Sequence, residues 1–142
     1  MNAEPKLSGG VLIHLPRDQA KSFFGLKADD AVLEFVTQSL DSGVTLNTDS
    51  AWSRLAAALG DEPPMVWTFT GGRPMFHGDS HQVLLIRPDM VGHIATSMTE
   101  MSDDALTELA GDDLATLKAV RDHYDAAAKS GCAMIFAVEN ES

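Results

Sequence analysis

Three short apolar runs constrain this chain more than anything else in it. VLIHL (Val11 to Leu15), QVLLI (Gln82 to Ile86) and CAMIFAV (Cys132 to Val138) have the length of strands rather than helices, and turn residues bound them. Between them lie long stretches whose apolar residues recur at helical spacing. Such a chain must gather its strands into one sheet and cover that sheet with its helices, which is an α+β domain. The expectation is a small mixed β-sheet of about four strands packed against several helices. Residues 1–10 are expected to form a flexible N-terminal tail, and residues 11–142 a single domain.

The helical segments carry their own start and stop signals. DQAKSFFGL reads as a short helix closed near Gly25. In ADDAVLEFVTQSLDSG, the residues Val32, Leu33, Val36 and Leu40 share a face, Asp29 or Asp30 can cap the start, and Gly43 suits the exit. In NTDSAWSRLAAALG, Thr48 or Asp49 can cap a face made by Trp52, Leu55, Ala56 and Leu59, with Gly60 as the stop; these two helices are expected to pack as a pair. The prolines of DEPP break the chain, and MVWTF (Met65 to Phe69) then reads as a strand, or as an extended segment leading into the glycines. Pro88 suits a helix first turn, with Met90, Val91, Ile94, Met98 and Met101 following at helical spacing as core. Ser102 caps a short helix carrying Leu106 and Leu109, and a last helix places Leu114, Leu117, Val120, Tyr124 and Ala127 on one side.

Charge narrows the partners. The formal net charge of −11 repels phosphate backbones and anionic lipids, so neither nucleic acid nor membrane is an expected partner. Much of the acid is concentrated: Glu100, Asp103, Asp104, Glu108, Asp112, Asp113, Asp122 and Asp125 are offset only by Lys118 and Arg121. That cluster reads either as solvated helix ends or as a docking face for a basic protein partner. No apolar run approaches a membrane span, the N-terminus lacks a signal-peptide core, and the single Cys132 allows no internal disulfide or cysteine zinc site. A cytoplasmic protein without cofactor or metal is expected.

One segment looks chemical. TFTGGRPMFHGDSHQ sets glycines, His77, Asp79, Ser80 and His81 between apolar runs. His77 and His81 share a face as metal ligands only if the backbone is helical, and Gly78 argues against that. GDSH resembles the start of one esterase group, whose serine needs a buried base; here His123 and Asp125 stand in the wrong order and on a helix. Gly71 and Gly72 before Arg73 read as a turn or as an anion nest. His14 reads as a hydrogen-bonded core or edge residue, Cys132 as a small buried one, Trp52 and Trp67 as core or rim aromatics, and Arg54 and Arg73 as contacts for an acidic group.

Four further stretches carry a likeness. LNTDSAWSRLAAAL, the glycine pair of TGGRP, LLIRPDMVGHIATSMTEMSDDAL and LKAVRDHYDAAAKSGCAMIFAV resemble, in order and spacing, the YfbM-like family of uncharacterised bacterial proteins. The likeness spans most of the chain from Leu46 onward. Where family members often carry a glycine- and tyrosine-containing segment, this chain has MFHGDSHQ. The resemblance implies an α+β bacterial protein and no catalytic residues to inherit.

Two functional expectations follow. The preferred one is a small acidic, non-enzymatic interaction protein, inhibitor- or immunity-like, meeting a basic partner through Glu100, Asp103, Asp104, Glu108, Asp112 and Asp113. The alternative is a small-molecule binder or weak hydrolase using the 71–81 loop, with Arg73, His77, Asp79 and His81 as its polar set.

Overall fold

The computed structural model describes residues 9–60, 62–70, 72–77 and 81–139, without the side chains of Ser42, Asp49, Thr70, His77, His81 and Glu139. Most of the expected tail, residues 1–8, lies outside the described residues. Five strands form one sheet: β1 (Gly10–Leu15), β2 (Thr45–Asp49), β3 (Arg73–His77), β4 (His81–Ile86) and β5 (Ala133–Glu139), in the order β2-β1-β5-β4-β3. Every pairing among the described strands is antiparallel, so the expected α+β sheet backed by helices stands, with five antiparallel strands where a mixed sheet of about four was expected.

The central strands explain the apolar runs. Along β5, Ala133, Ile135 and Ala137 face one helical layer, while Met134, Phe136 and Val138 face another. A strand covered on both faces has no reason to alternate with polar residues, so it reads as an unbroken apolar run. On one side lie α1 (Arg17–Phe24) and α2 (Asp29–Ser42), which bury Phe23, Val32, Leu33 and Val36 against Val11, Ile13 and Leu85. On the other lie α3 (Ala51–Leu59), α4 (Trp67–Thr70), α5 (Pro88–Thr99), α6 (Asp103–Ala110) and α7 (Leu114–Lys129). They pack Leu55, Phe69, Ile94, Leu106, Val120 and Tyr124 over Leu12, Met134 and Phe136. The expected α2–α3 pair is therefore corrected: β2 intervenes, and the two helices bury their apolar faces in different layers.

Both edge strands lack the sequence signature of the centre. In β2, Leu46 packs on the thicker layer and Thr48 is buried, its hydroxyl donating to the Gly10 carbonyl at 2.7 Å. Thr48 thus belongs to the sheet instead of capping α3, whose N-cap position is Ser50. Among the described residues β3 pairs only with β4, and a bulge between Pro74 and Phe76 lets Met75 and Phe76 both pack on the thinner layer. An edge strand tolerates Pro74 because a missing N–H there breaks no second ladder.

MVWTF is the other correction: these residues form a turn and the single helical turn of α4. Trp67 N–H donates to the Pro64 carbonyl and Thr68 N–H to that of Met65, while the Thr68 hydroxyl also bonds the Met65 carbonyl at 2.8 Å. The buried Tyr124 hydroxyl donates to the Thr68 carbonyl. A local turn with a tertiary donor at its end outweighs the strand preference of Val-Trp-Thr-Phe, which is largely a packing preference. Ser102 behaves as expected, accepting from the Ala105 N–H at 3.2 Å as the cap of α6.

Candidate functional site

The polar segment of the sequence turns out to be a hairpin. Arg73 opens β3 opposite Leu85, and His77 closes it opposite Gln82. Four strand steps, roughly 13 Å, separate Arg73 from His77. The expected set is thus divided, with Arg73 at one end of the hairpin and the backbones of His77 and His81 at the other. Asp79 lies outside the described residues, as do the side chains of the two histidines. Among the described residues, no group of three His, Cys, Asp or Glu could hold a metal ion.

At the Arg73 end the molecule is concave. There the last turn of α1, the segment entering β3, the end of β4 and the start of α5 converge. The Arg73 guanidinium carbon sits 4.3 Å from the centroid of the Phe24 ring. Phe24 is 47% exposed while its neighbour Phe23 is fully buried, so α1 sends one aromatic ring into the core and offers the next to solvent. Trp67, Met90, Leu85, Gly72 and Arg87 complete the lining, and the cleft holds about 570 Å³. A smaller concavity of about 200 Å³ shares Phe24, Leu85 and Arg87 with it, and adds Ala20, Lys21, Pro88 and Ala133.

Gly72 makes this geometry possible. A Cβ on it would meet the Leu85 carbonyl oxygen at 2.8 Å, so only glycine lets the chain run this close to β4 just before Arg73 emerges. Of the pair read as a turn or an anion nest, Gly71 lies outside the described residues.

Cations gather here in a chain of net charge −11. Lys21 and Arg73 have no carboxylate within ion-pair distance among the described residues. Arg87 reaches Asp89 at 3.4 Å, with both side chains more than 60% exposed, a contact that solvent largely screens. Elsewhere several positive side chains are taken, Arg54 holding Asp113 through two bonds of 2.8 and 2.9 Å and Lys129 holding Asp125 at 2.8 Å, while Arg17 and Lys27 meet no carboxylate among the described residues. The described residues lining the larger cleft include no histidine, cysteine, serine or carboxylate.

The perturbed titratable groups lie away from this cleft. His14 on β1 and His123 on α7 stack with centroids 4.0 Å apart. His14 Nε2 bonds the His123 carbonyl at 2.8 Å, and His123 Nε2 bonds the Leu12 carbonyl at 3.0 Å. A carbonyl oxygen can only accept, so each ring carries its proton on Nε2. Burial, and then the neighbouring His14, lower the His123 pKa to about 4; burial lowers that of His14 too. These are neutral clasps between sheet and helix, which agrees with the reading of His14 as hydrogen-bonded core. Cys132 is buried and its thiol is pushed up, by burial first and the Asp18 charge second.

The acidic run forms the outer helices of the thicker layer. Asp113, Asp125 and Asp122 are engaged by Arg54, Lys129 and Arg121, and Asp103 lies 4.0 Å from Lys118. Glu100, Asp104, Glu108 and Asp112 are exposed and meet no cation among the described residues.

Sequence reasoning found Arg73 but missed Phe24, Arg87 and the cleft itself. The available signal was the tandem Phe23-Phe24 at the end of a short helix, where only one ring can point inward. No helix among the described residues is long and apolar enough to cross a membrane. No protein-family model and no curated protein sequence matches the chain. The crystal structure of YfbM from Escherichia coli, a protein of unknown function, matches it with a TM-score of 0.65 at 10% sequence identity, over 92% of this chain and 99% of that one. The expected YfbM-like fold is therefore present.

Proposed function

We propose that this YfbM-like chain is a non-enzymatic binding protein whose ligand site is the cleft between Phe24, Trp67 and Arg73. The observation that carries the reading is a concavity of about 570 Å³, inside the range of small-molecule sites, that joins exposed aromatic surface to an arginine without a carboxylate partner. Exposed apolar surface and an unpaired cation in one hollow each gain by meeting a ligand, and neither is needed to hold the fold. The absence of a nucleophile or base from the described lining residues favours binding over hydrolysis. A fragment screen followed by backbone amide NMR tests it. Hits should shift the amides of Phe24, Gly72, Arg73, Leu85 and Arg87; hits that scatter over the surface, or that collect elsewhere, would remove the reading.

A second reading keeps the acidic face as a docking surface for a basic protein. It is favoured by the four exposed carboxylates of Glu100, Asp104, Glu108 and Asp112, which meet no cation while their neighbours are paired. A basic partner captured from lysate should be released by salt, and should be lost when all four residues are changed to their amides. Capture that survives both treatments would exclude this face.

A further inference from the structure

Resting on the cleft reading, we infer that the ligand is an amphipathic carboxylate: a small molecule with one planar anionic head and an apolar body of ring or short-chain size. Three features of the cleft point to that chemistry together.

The first is the state of the Arg73 side chain. Its guanidinium carbon lies over the Phe24 ring, 4.3 Å from the centroid, a cation–π contact that consumes none of its N–H donors. Five donors fixed in one plane match the two oxygens of a carboxylate. Gly72, packed against the Leu85 carbonyl, fixes where this side chain leaves the backbone.

The second is the setting of charge. Arg87 stands at the wall common to both concavities and Lys21 lines the smaller one, so the positive potential is local in a chain of net charge −11. A polyanion such as a nucleotide or nucleic acid would meet that overall repulsion, whereas a singly charged head would feel chiefly the nearby guanidinium groups. Asp89 already contacts Arg87 at 3.4 Å in an exposed pair, and stands as a tethered version of the proposed head.

The third is the apolar volume beyond the head. Trp67, Leu85 and Met90 line the larger cleft, and the smaller concavity continues past Phe24 to Ala20, Pro88 and Ala133. Two hollows that share Phe24, Leu85 and Arg87, each setting cations beside apolar side chains, fit a molecule with a charged end and a greasy end.

The test is isothermal titration of the full chain with octanoate and phenylbutyrate, their uncharged amides, and octyl phosphate. The carboxylates should bind at least tenfold more tightly than the amides. Arg73→Met should remove about tenfold of carboxylate affinity while leaving amide affinity unchanged, with Arg73→Lys in between. Asp89→Asn should strengthen carboxylate binding by freeing Arg87. Amides that bind as well as acids would overturn the inference while leaving the cleft reading intact. Octyl phosphate binding tenfold tighter than octanoate would overturn the choice of head. No binding by any of the five probes would overturn the inference as well, and the fragment screen then decides the cleft reading separately.

Discussion

The interior of the thicker layer and the cleft at the end of the hairpin treat polar side chains in opposite ways. Inside, His14, His123, Tyr124 and Thr68 each reach a backbone carbonyl, and no buried side-chain nitrogen or oxygen among the described residues lacks a partner. In the cleft, Arg73 lies over a ring with no carboxylate partner, and Lys21, in the adjoining smaller concavity, has no counter-charge among the described residues. A satisfied polar group under cover is architecture, since leaving it unmade costs far more than making it contributes. An unsatisfied one at the mouth of a hollow is free to bind something. His14, His123 and Tyr124, which look chemical by type, thus serve the fold, while an arginine and a surplus phenylalanine mark the proposed site.

Substitutions break this contrast in a graded way. The largest difference separates adjacent residues. Phe23→Ala empties a fully buried position and should cost about 3–5 kcal/mol in urea denaturation. Phe24→Ala, at a position 47% exposed, should cost within about 0.5 kcal/mol yet weaken any cleft ligand. Equal losses at the two positions would mean that Phe24 also holds the fold.

Next comes acid. The folded His123 pKa of about 4 lies below its ordinary value, so the unfolded chain takes up the proton first as pH falls. The stability from keeping this ring neutral is present above about pH 6.5 and is lost on the way down to about 4. With a discount for the part of the ring that water reaches, the loss is about 2 kcal/mol. His14 shifts in the same direction. His123→Gln keeps a donor for the Leu12 carbonyl and should flatten the dependence between pH 7 and 4.5; an unchanged slope would place the acid sensitivity elsewhere.

Tyr124→Phe is a smaller change. It strips the Thr68 carbonyl of its buried donor and should cost roughly 1.5 kcal/mol by thermal or urea unfolding, with α4 loosened as seen by amide exchange at Trp67 to Phe69. Arg73→Met should leave stability within about 0.5 kcal/mol, since its guanidinium is outside the core.

The sequence displays the covered centre of this molecule and hides its margins. β1, β4 and β5 are visible because burial on both faces leaves mostly apolar residues, and α2, α5 and α7 because each buries a single stripe. β2 and β3 carry no such pattern. Leu46 and Thr48 are the inward positions of a polar edge, and Pro74 argues against a strand except where one side is open. α4 is hidden for a different reason: Val-Trp-Thr-Phe takes its conformation from the turn before it and from Tyr124, which lies 56 positions away. The cleft is assembled from α1, α4, β4 and α5, so spacing along the chain could offer only Arg73. The likeness to the YfbM-like family carried the fold, and the shared architecture at 10% identity says nothing further about ligand.

The two tryptophans provide the most direct test of the contrast itself. Trp67 lines the cleft, whereas Trp52 packs edge-on against Phe136 in the core, 5.3 Å between centroids. Titration of the labelled protein with phenylbutyrate, followed through the two indole N–H resonances, separates them in one experiment. The Trp67 signal should move saturably while that of Trp52 stays fixed. Phenylbutyrate binding that leaves the Trp67 signal unmoved, or a Trp52 signal that moves in step with that of Trp67, would contradict the assignment of this hollow as the binding site.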